Sequence, residues 1–434
     1  MNEMTPEQIH AVIWMGPLPS SPVGFMYQPA LKTLELGLKA HGAMVTVGAG
    51  LPDLLRNTSA IRTIGHSDIF VWIGVAHSAL ISGLVGALTA VGVHTVYYRT
   101  EQAMAGGNIV PTLEYVVQEV WDYSRSNLAQ LGRRWRTESS SASYQKARYL
   151  PPGFIPSPRV VAIERSRDAR PRLVFLGSGS RHYARYGCLQ HILRSLNESR
   201  QRESRAVVPP GSARTASAVV GASLRQHPKW PKWQKACFDQ TCPVDRCRSA
   251  ECPLEVVHDA FSSSRWNAEV FRSAYFLNVH KNCNASAAAA ALSPVRPPIP
   301  CESFRFSTLL SIGASIVSEH CFEEAEYEGL VEFRDLRDIP AAFLQLYSRR
   351  KDSSLDAFKR KQAYRQRMDA SAILARAGVP QMLASLQRKR ASPVPQSQRE
   401  RHRSRVRSML DTLIRQHDPT DRCSPPRQRD VNCW

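Results

Sequence analysis

Apolar positions in the first hundred residues come in short blocks separated by amphipathic stretches. His10–Met15 is an apolar run that stops at Gly16-Pro17. A Pro- and Ser-rich loop, Leu18–Val23, follows it. Gly24–His41 then carries Phe25, Tyr27, Leu31, Leu34, Leu36 and Leu38 at helical spacing and closes at Gly42. Ala43–Val47 reads as a second strand. Ser67–Val75 (SDIFVWIGV) reads as a third, apolar throughout, as expected of a strand covered on both faces. Ser78–Val91 predicts a helix ending at Gly92. Val93–Tyr98 predicts a fourth strand that runs into Arg99-Thr100-Glu101. Strand and helix alternating at this interval predict βαβ units on a parallel sheet.

The pattern restarts after a polar, Ser-rich gap and the run Arg148–Phe154 (RYLPPGF). Arg172–Gly177 opens a second α/β series, followed by a loop at Ser178–Ser180 and a helix over Tyr183–Leu196. Asn197–Lys235 is rich in Arg, Ser and Pro and has no period, which reads as an insertion or long loop. Val256-Val257 is a possible strand remnant, and Ser263–Ala274 a helix feeding an apolar run at Tyr275–Val279. Glu302 then opens a segment with Phe306, Leu309, Leu310 and Ile312 at helical spacing, capped by Gly313. Ala314–Val317 is a buried strand ending in Ser318-Glu319. Leu330–Phe333 and Pro340–Tyr347 fit a last strand and helix. Ser354–Met368 is a charged helix, and order is expected to fall from about residue 389.

The expected architecture is α/β, two facing Rossmann-like domains with a basic, partly disordered C-terminal tail. The boundaries are 1–150, 151–347 with an insertion at about 197–254, and a tail at 348–434, with the hinge near Pro151–Ser157. In open α/β sheets ligands bind beyond the carboxyl ends of the strands. Asn278–Asn282, Glu302, Arg305, Ser318 and Glu319 would then share one rim. A helix N-terminus there favours phosphate. Arg305 could add a bidentate contact, and carboxylates such as Glu302 and Glu319 accept hydrogen bonds from sugar hydroxyls. Spacing alone leaves a second reading open, in which Glu302 and Arg305 form an i,i+3 ion pair on a helix surface and Glu319 is a solvated strand end.

FLNVH at 276–280, Glu302 with Arg305 three residues on, Gly313 eleven residues after Glu302, and IVSE at 316–319 together resemble the C-terminal half of GT-B glycosyltransferases. The nearest likeness is to the group with spore-protein-like "glycosyl transferases group 1" domains. Glu119–Leu131 (EVWDYSRSNLAQL) and the RYLPPGF run are similar to segments that close the N-terminal domain in that group. The third acidic position of the family string is Thr308 here. The resemblance implies a nucleotide-sugar donor held by Gly177, Ser178, Arg181, His280, Glu302, Arg305, Ser318 and Glu319. It implies an acceptor, of unknown identity, on the N-terminal rim. An inverting enzyme needs a base there, and His77 and Glu101, both at strand ends, are the candidates. The alternative is a catalytically inactive GT-B-like scaffold whose basic tail binds an anionic partner. In Gly177–Gly187 His182 stands where a dinucleotide fingerprint needs its third glycine, which argues against a nicotinamide enzyme.

Charge and cysteine content change this picture little. The net charge is +20, concentrated in Arg194–Lys235 and Ser348–Arg429. Those stretches are poor in aromatics and have no nucleic-acid-binding motif, so solvated basic segments are expected and nucleic acid is not. No run reaches the roughly 18 apolar residues of a membrane span. The N-terminus lacks the layout of a secretory signal, so the cytoplasm is expected. Cys188, Cys283, Cys301, Cys321, Cys423 and Cys433 are scattered and are expected to be reduced in such a setting. Cys237, Cys242, Cys247 and Cys252 recur every fifth residue without a C-x-x-C knuckle, so free or oxidised thiols are expected there and zinc is the alternative. No metal or other cofactor is expected, since helix dipole and basic side chains can offset a diphosphate.

Overall fold

The computed structural model describes residues 8–18, 20–50, 54, 58–74, 79–100, 113–138, 146–157, 173–177, 185–206, 254–257, 275–280, 283, 299–348, 354–391, 404 and 408. The first unit runs β1 (His10–Met15), α1 (Pro22–Ala40), β2 (Met44–Ala49), α2 (Thr58–Gly65), β3 (Ile69–Ile73), α3 (Ala79–Ala90), β4 (His94–Arg99), β5 (Glu119–Asp122), α4 (Arg125–Glu138) and β6 (Lys146–Tyr149). Its strands form one parallel sheet in the order β2-β1-β3-β4-β5-β6. Successive side chains of a strand point to opposite faces. In β1, Ala11, Ile13 and Met15 therefore join one apolar cluster while Val12 and Trp14 join another. Both faces are covered, which is why β1 after His10 and the whole of β3 are apolar. Helix α1 begins where Ser21 accepts from the Gly24 amide at 3.0 Å with Pro22 in the first turn, and it ends before Gly42, whose φ is +82°.

The second unit runs β7 (Leu173–Leu176), α5 (Arg185–Ala206), β8 (Leu254–Val257), β9 (Tyr275–Asn278), α6 (Ser303–Leu310), β10 (Ser315–Ser318), β11 (Val331–Phe333) and α7 (Ile339–Ser348). Its sheet is also parallel, in the order β11-β10-β9-β7-β8. Helix α8 (Ser354–Arg367) then leads to α9 (Ala370–Arg376) and α10 (Val379–Ala391). These return to the first unit. Leu374 of α9 lies so close to Gly37 of α1 that a Cβ there would meet it at 2.7 Å. Arg390 donates to the carbonyl of Gln8 at 2.9 Å and to Asp68 at 3.1 Å.

The first residues of the connection between the sheets, Pro151–Phe154, are buried. The Gly153 amide donates to Thr33 at 2.7 Å, Phe154 to the Met368 carbonyl at 2.8 Å, and Ile155 to Ser311 at 2.9 Å. One apolar cluster runs through Leu150 and Phe154 from Ile13 and Val71 to Phe276 and Ile316, and on to Tyr364 and Leu374.

Several expectations change. β6 and α2 were not predicted. β6 is a four-residue edge strand, Lys-Ala-Arg-Tyr, with no apolar run to announce it. α5 continues to Ala206, ten residues into the stretch read as aperiodic. The rest of that insertion, the 263–274 helix and Cys237–Cys252 lie outside the described residues. So does nearly all of the chain expected to lose order beyond about 389; residues 389–391 close α10.

The cysteine expectation is corrected. Cys188 is bonded to Cys283 and Cys301 to Cys321. The second sheet supplies the reason. β9 brings the residue after its rim against the start of α5, and α6 returns the chain so that the segments before and after it meet. No helix among the described residues is long and apolar enough to cross a membrane.

Candidate functional site

The carboxyl ends of β7, β9 and β10 bring Gly177, Asn278 and Ser318 to one rim. Gly177 has φ +149°, a conformation that L side chains avoid. A Cβ on it would lie 3.3 Å from the Phe175 ring and 3.4 Å from Arg305 Nη2. Helix α6 delivers Arg305 to this point because it is buried on almost every side. Ser303 to Ser307, Leu309 and Leu310 are all buried, and only Thr308 is partly exposed, its hydroxyl returned to the Phe304 carbonyl at 3.0 Å.

Arg305 is the unusual residue here. It is 8% exposed. Its Nη1 donates to the side-chain carbonyl of Asn278, which in turn donates from Nδ2 to Ser318 Oγ at 2.9 Å. Its guanidinium lies 5.3 Å from the centre of the Phe175 ring, and that of Arg185, also buried, lies 5.5 Å from it. Nε of Arg305 is buried without a hydrogen-bond partner among the described residues. No carboxylate of those residues comes within ion-pair distance of it. Burial therefore pulls the Arg305 pKa down, and the field of Glu302 opposes that only in part. Arginine nonetheless stays charged. The rim thus holds a desolvated cation whose close partners are an amide and an aromatic ring.

The neighbouring groups are polar and ordered. The His280 amide donates to Glu319 Oε2 at 2.8 Å, and His280 Nε2 lies 3.2 Å from the His320 carbonyl, which makes Nε2 the protonated nitrogen. His280 Nδ1 is then a buried acceptor with no partner among the described residues. Ser318 Oγ donates to the Glu319 carbonyl at 2.8 Å. Glu302 stands at the N-cap of α6 and makes no side-chain cap bond.

Across from α6 the first unit is in contact. Tyr27 and Tyr123 place their rings 5.8 and 5.1 Å from that of Phe304. Glu323 is buried between the units, taking hydrogen bonds from Ser124 Oγ at 2.7 Å and the Cys301 amide at 2.9 Å. On the first sheet's own rim, Arg99 pairs with Glu114 at 3.1 Å and with Asp122 at 3.4 Å. Burial pushes the Asp122 carboxyl up to about 7 against the pull of Arg99. Asp122 also orders the start of α4, accepting from the Ser124 amide at 2.8 Å and from the Asn127 side chain at 3.0 Å, while Ser124 Oγ accepts from the Asn127 amide at 3.3 Å.

Of the residues singled out in the sequence, Gly177, His280, Glu302, Arg305, Ser318 and Glu319 belong to this rim. His77, Glu101, Ser178 and Arg181 lie outside the described residues. Asn278, expected on this rim, and Phe175, not singled out, are the residues that hold Arg305. Asn278 carried a signal, as the last residue of an apolar strand; Phe175 carried none. The surface ion pair between Glu302 and Arg305 does not form, because α6 turns Arg305 inward.

No family model and no curated protein matches the chain. Solved structures do. An alpha-glucosyltransferase in complex with UDP-glucose and DNA containing an abasic site aligns with a TM-score of 0.52 at 11% identity, over 87% of this chain and 100% of its own. The fold is GT-B. Two further structures align at lower scores. A UDP-forming alpha,alpha-trehalose-phosphate synthase from Burkholderia xenovorans, in complex with glucose-6-phosphate, has a TM-score of 0.46 at 11% identity over 87% and 100% of the two chains. HepE of Anabaena, in complex with UDP-glucose, has 0.43 at 11% over 86% and 99%. In GT-B terms, the two parallel sheets are the two halves of the fold, and α8 is the helix that crosses back between them.

Proposed function

We propose that this chain is a glycosyltransferase that takes its sugar from a nucleotide-sugar donor, with the donor diphosphate at Arg305. One observation carries the reading: Arg305 is a buried guanidinium at the strand ends with only neutral close partners. An ion left without a counter-charge in the interior is costly. A diphosphate would supply the missing negative charge, and Gly177, having no Cβ, leaves room for it beside Nη2. Arg185, on the same ring, is positioned to share the charge. Glu302 and Glu319 are then the acceptors for sugar or ribose hydroxyls, and His280 and Ser318 order that edge. Ser178 and Arg181, one and four residues after Gly177 in the chain, are proposed as further phosphate contacts on the sequence resemblance alone. The acceptor belongs on the first unit's rim, with His77 or Glu101 as its base. The protein is expected to work without a metal, in the cytoplasm, with the Cys188–Cys283 and Cys301–Cys321 disulfides of the described residues as the observation that weighs against that compartment.

The test is calorimetric titration with UDP and UDP-glucose. Arg305→Ala should weaken both by roughly 1.5–3 kcal/mol, about ten- to a hundredfold. Glu302→Gln should spare UDP and lower turnover of the sugar nucleotide. Unchanged UDP affinity in Arg305→Ala removes the reading. Tight donor binding without hydrolysis or transfer to any acceptor favours the inactive scaffold, which Thr308 at the family's acidic position also favours.

A further inference from the structure

A second site is built where the first sheet's last strand meets the C-terminal helices. A cavity of about 880 Å³ lies between β6, the 3-10 turn Glu324–Tyr327, the end of α8, and α9 with α10. That is the size of a small-molecule pocket. It shares no residue with the Arg305 rim.

Four arginines line it, Arg125, Arg148, Arg367 and Arg376, against one carboxylate, Glu326. Their partners divide them in two. Arg148 is neutralised from behind by Glu119, at 2.6 and 2.9 Å, and donates to the Ala377 carbonyl at 2.6 Å. Arg125 meets Glu326 at 3.1 Å and lies 4.3 Å over the Tyr149 ring, whose hydroxyl donates to Glu326 at 2.8 Å. The other two have no carboxylate. Arg367 donates only to the carbonyls of Glu328 at 2.6 Å and Glu326 at 3.3 Å. Arg376 reaches only the Arg367 carbonyl, at 3.5 Å. Two guanidinium charges therefore face the cavity with no counter-ion among the described residues. The rest of the wall is mixed: Met368, Ile373 and Met382 are apolar, and Gln381 and Ser385 can hydrogen-bond.

We infer that this cavity binds a small phosphomonoester with an apolar body. A phosphate monoester carries close to two negative charges at neutral pH, which matches the two uncompensated arginines. Guanidinium groups pair with its oxygens in bidentate fashion. The three apolar side chains suit a body that inorganic phosphate lacks. The site draws its walls from the first unit through Arg125 and Tyr149, from the second through Glu326, and from the crossing-back helix through Arg367. An occupant would tie these three parts together, so binding should also raise the melting temperature. The inference does not depend on the reading of Arg305.

Titration of the full chain with phenyl phosphate, inorganic phosphate and phenol tests it. Phenyl phosphate should bind, inorganic phosphate more weakly, and phenol not measurably. Arg376→Ala and, separately, Gln381→Glu should each weaken phenyl phosphate by about tenfold or more. Both positions are on the surface of α9 and α10, and melting curves verify that the variants fold. Arg305→Ala should leave the affinity unchanged. Four results would each overturn the inference: no binding of phenyl phosphate at millimolar concentration, equal binding of phenol, unchanged affinity in both cavity variants, or loss in Arg305→Ala.

Discussion

Arg148 is half-buried and Arg305 buried, and the surroundings of their guanidinium groups are opposite. The Arg148 side chain is 14% exposed and meets Glu119 through two hydrogen bonds, with a backbone carbonyl taking a third. Arg305, 8% exposed, has an amide and an aromatic ring. Glu119 also accepts from Trp121 at 3.0 Å and lies 3.6 Å from His94, so both charges of the first cluster have partners. The second does not. A buried charge that carries its own counter-ion holds a fold together, whereas one that lacks it is a cost to the fold. The two sites lie in the same molecule and use the same side chain, so the contrast comes from their neighbours.

The contrast breaks most readily at Arg148. Arg148→Ala leaves Glu119 as a buried carboxylate, 1% exposed, without its main partner. Removing one member of a buried pair typically costs about 3–5 kcal/mol, and denaturant melts of the variant should show a loss of that order. A loss below about 1 kcal/mol would mean that the pair behaves like a surface one and that the comparison is empty.

The second expected effect is an acid limb in the stability profile. Burial raises the Glu119 pKa, but hydrogen bonds from Arg148 and Trp121, with His94 close by, outweigh it and hold the carboxyl at about 2, against 4.5 when unfolded. A carboxyl held low in the folded state contributes stability above its unfolded pKa and loses it as pH falls. The contribution, about 3 kcal/mol, should be complete above pH 4.5 and should disappear between about 4.5 and 2. Glu119→Gln should flatten that limb of the pH profile. An unchanged limb would assign acid unfolding to other carboxyls.

The smallest expected effect sharpens the other half of the comparison. Arg305→Met replaces a desolvated cation with an apolar chain of similar length, a change that is often neutral or stabilising. The melting temperature should stay level or rise while UDP affinity falls. A drop in stability comparable to that of Arg148→Ala would make Arg305 a structural residue after all.

Much of the fold was legible. β1, β3, β7 and β9 are apolar runs because both faces of each sheet are covered, and such runs show in any linear reading. β6 was not legible, since its four residues owe their strand to pairing with β5 and not to their own character. The ten extra residues of α5 were hidden by their charge. At the rim, Glu302, Arg305, Ser318 and Glu319 could be found because strand ends are where α/β sheets bind ligands. The disulfides could not, because pairs separated by 95 and 20 residues are joined only when the strands are in place.

Hydrophobic periodicity by itself determined that there are two parallel α/β units and that α6 lies between two buried strands. These are local properties, decided by which faces of a short segment avoid water. What α6 does with its polar residues was decided only by the tertiary structure. Arg305 finds Asn278 twenty-seven positions away, and Ser307 finds the Gly153 carbonyl at a separation of 154. A period of 3.6 residues allows either a surface pair with Glu302 or an inward turn. The choice falls to the linker, α1 and α8, which close around the helix and leave its arginine no water to face.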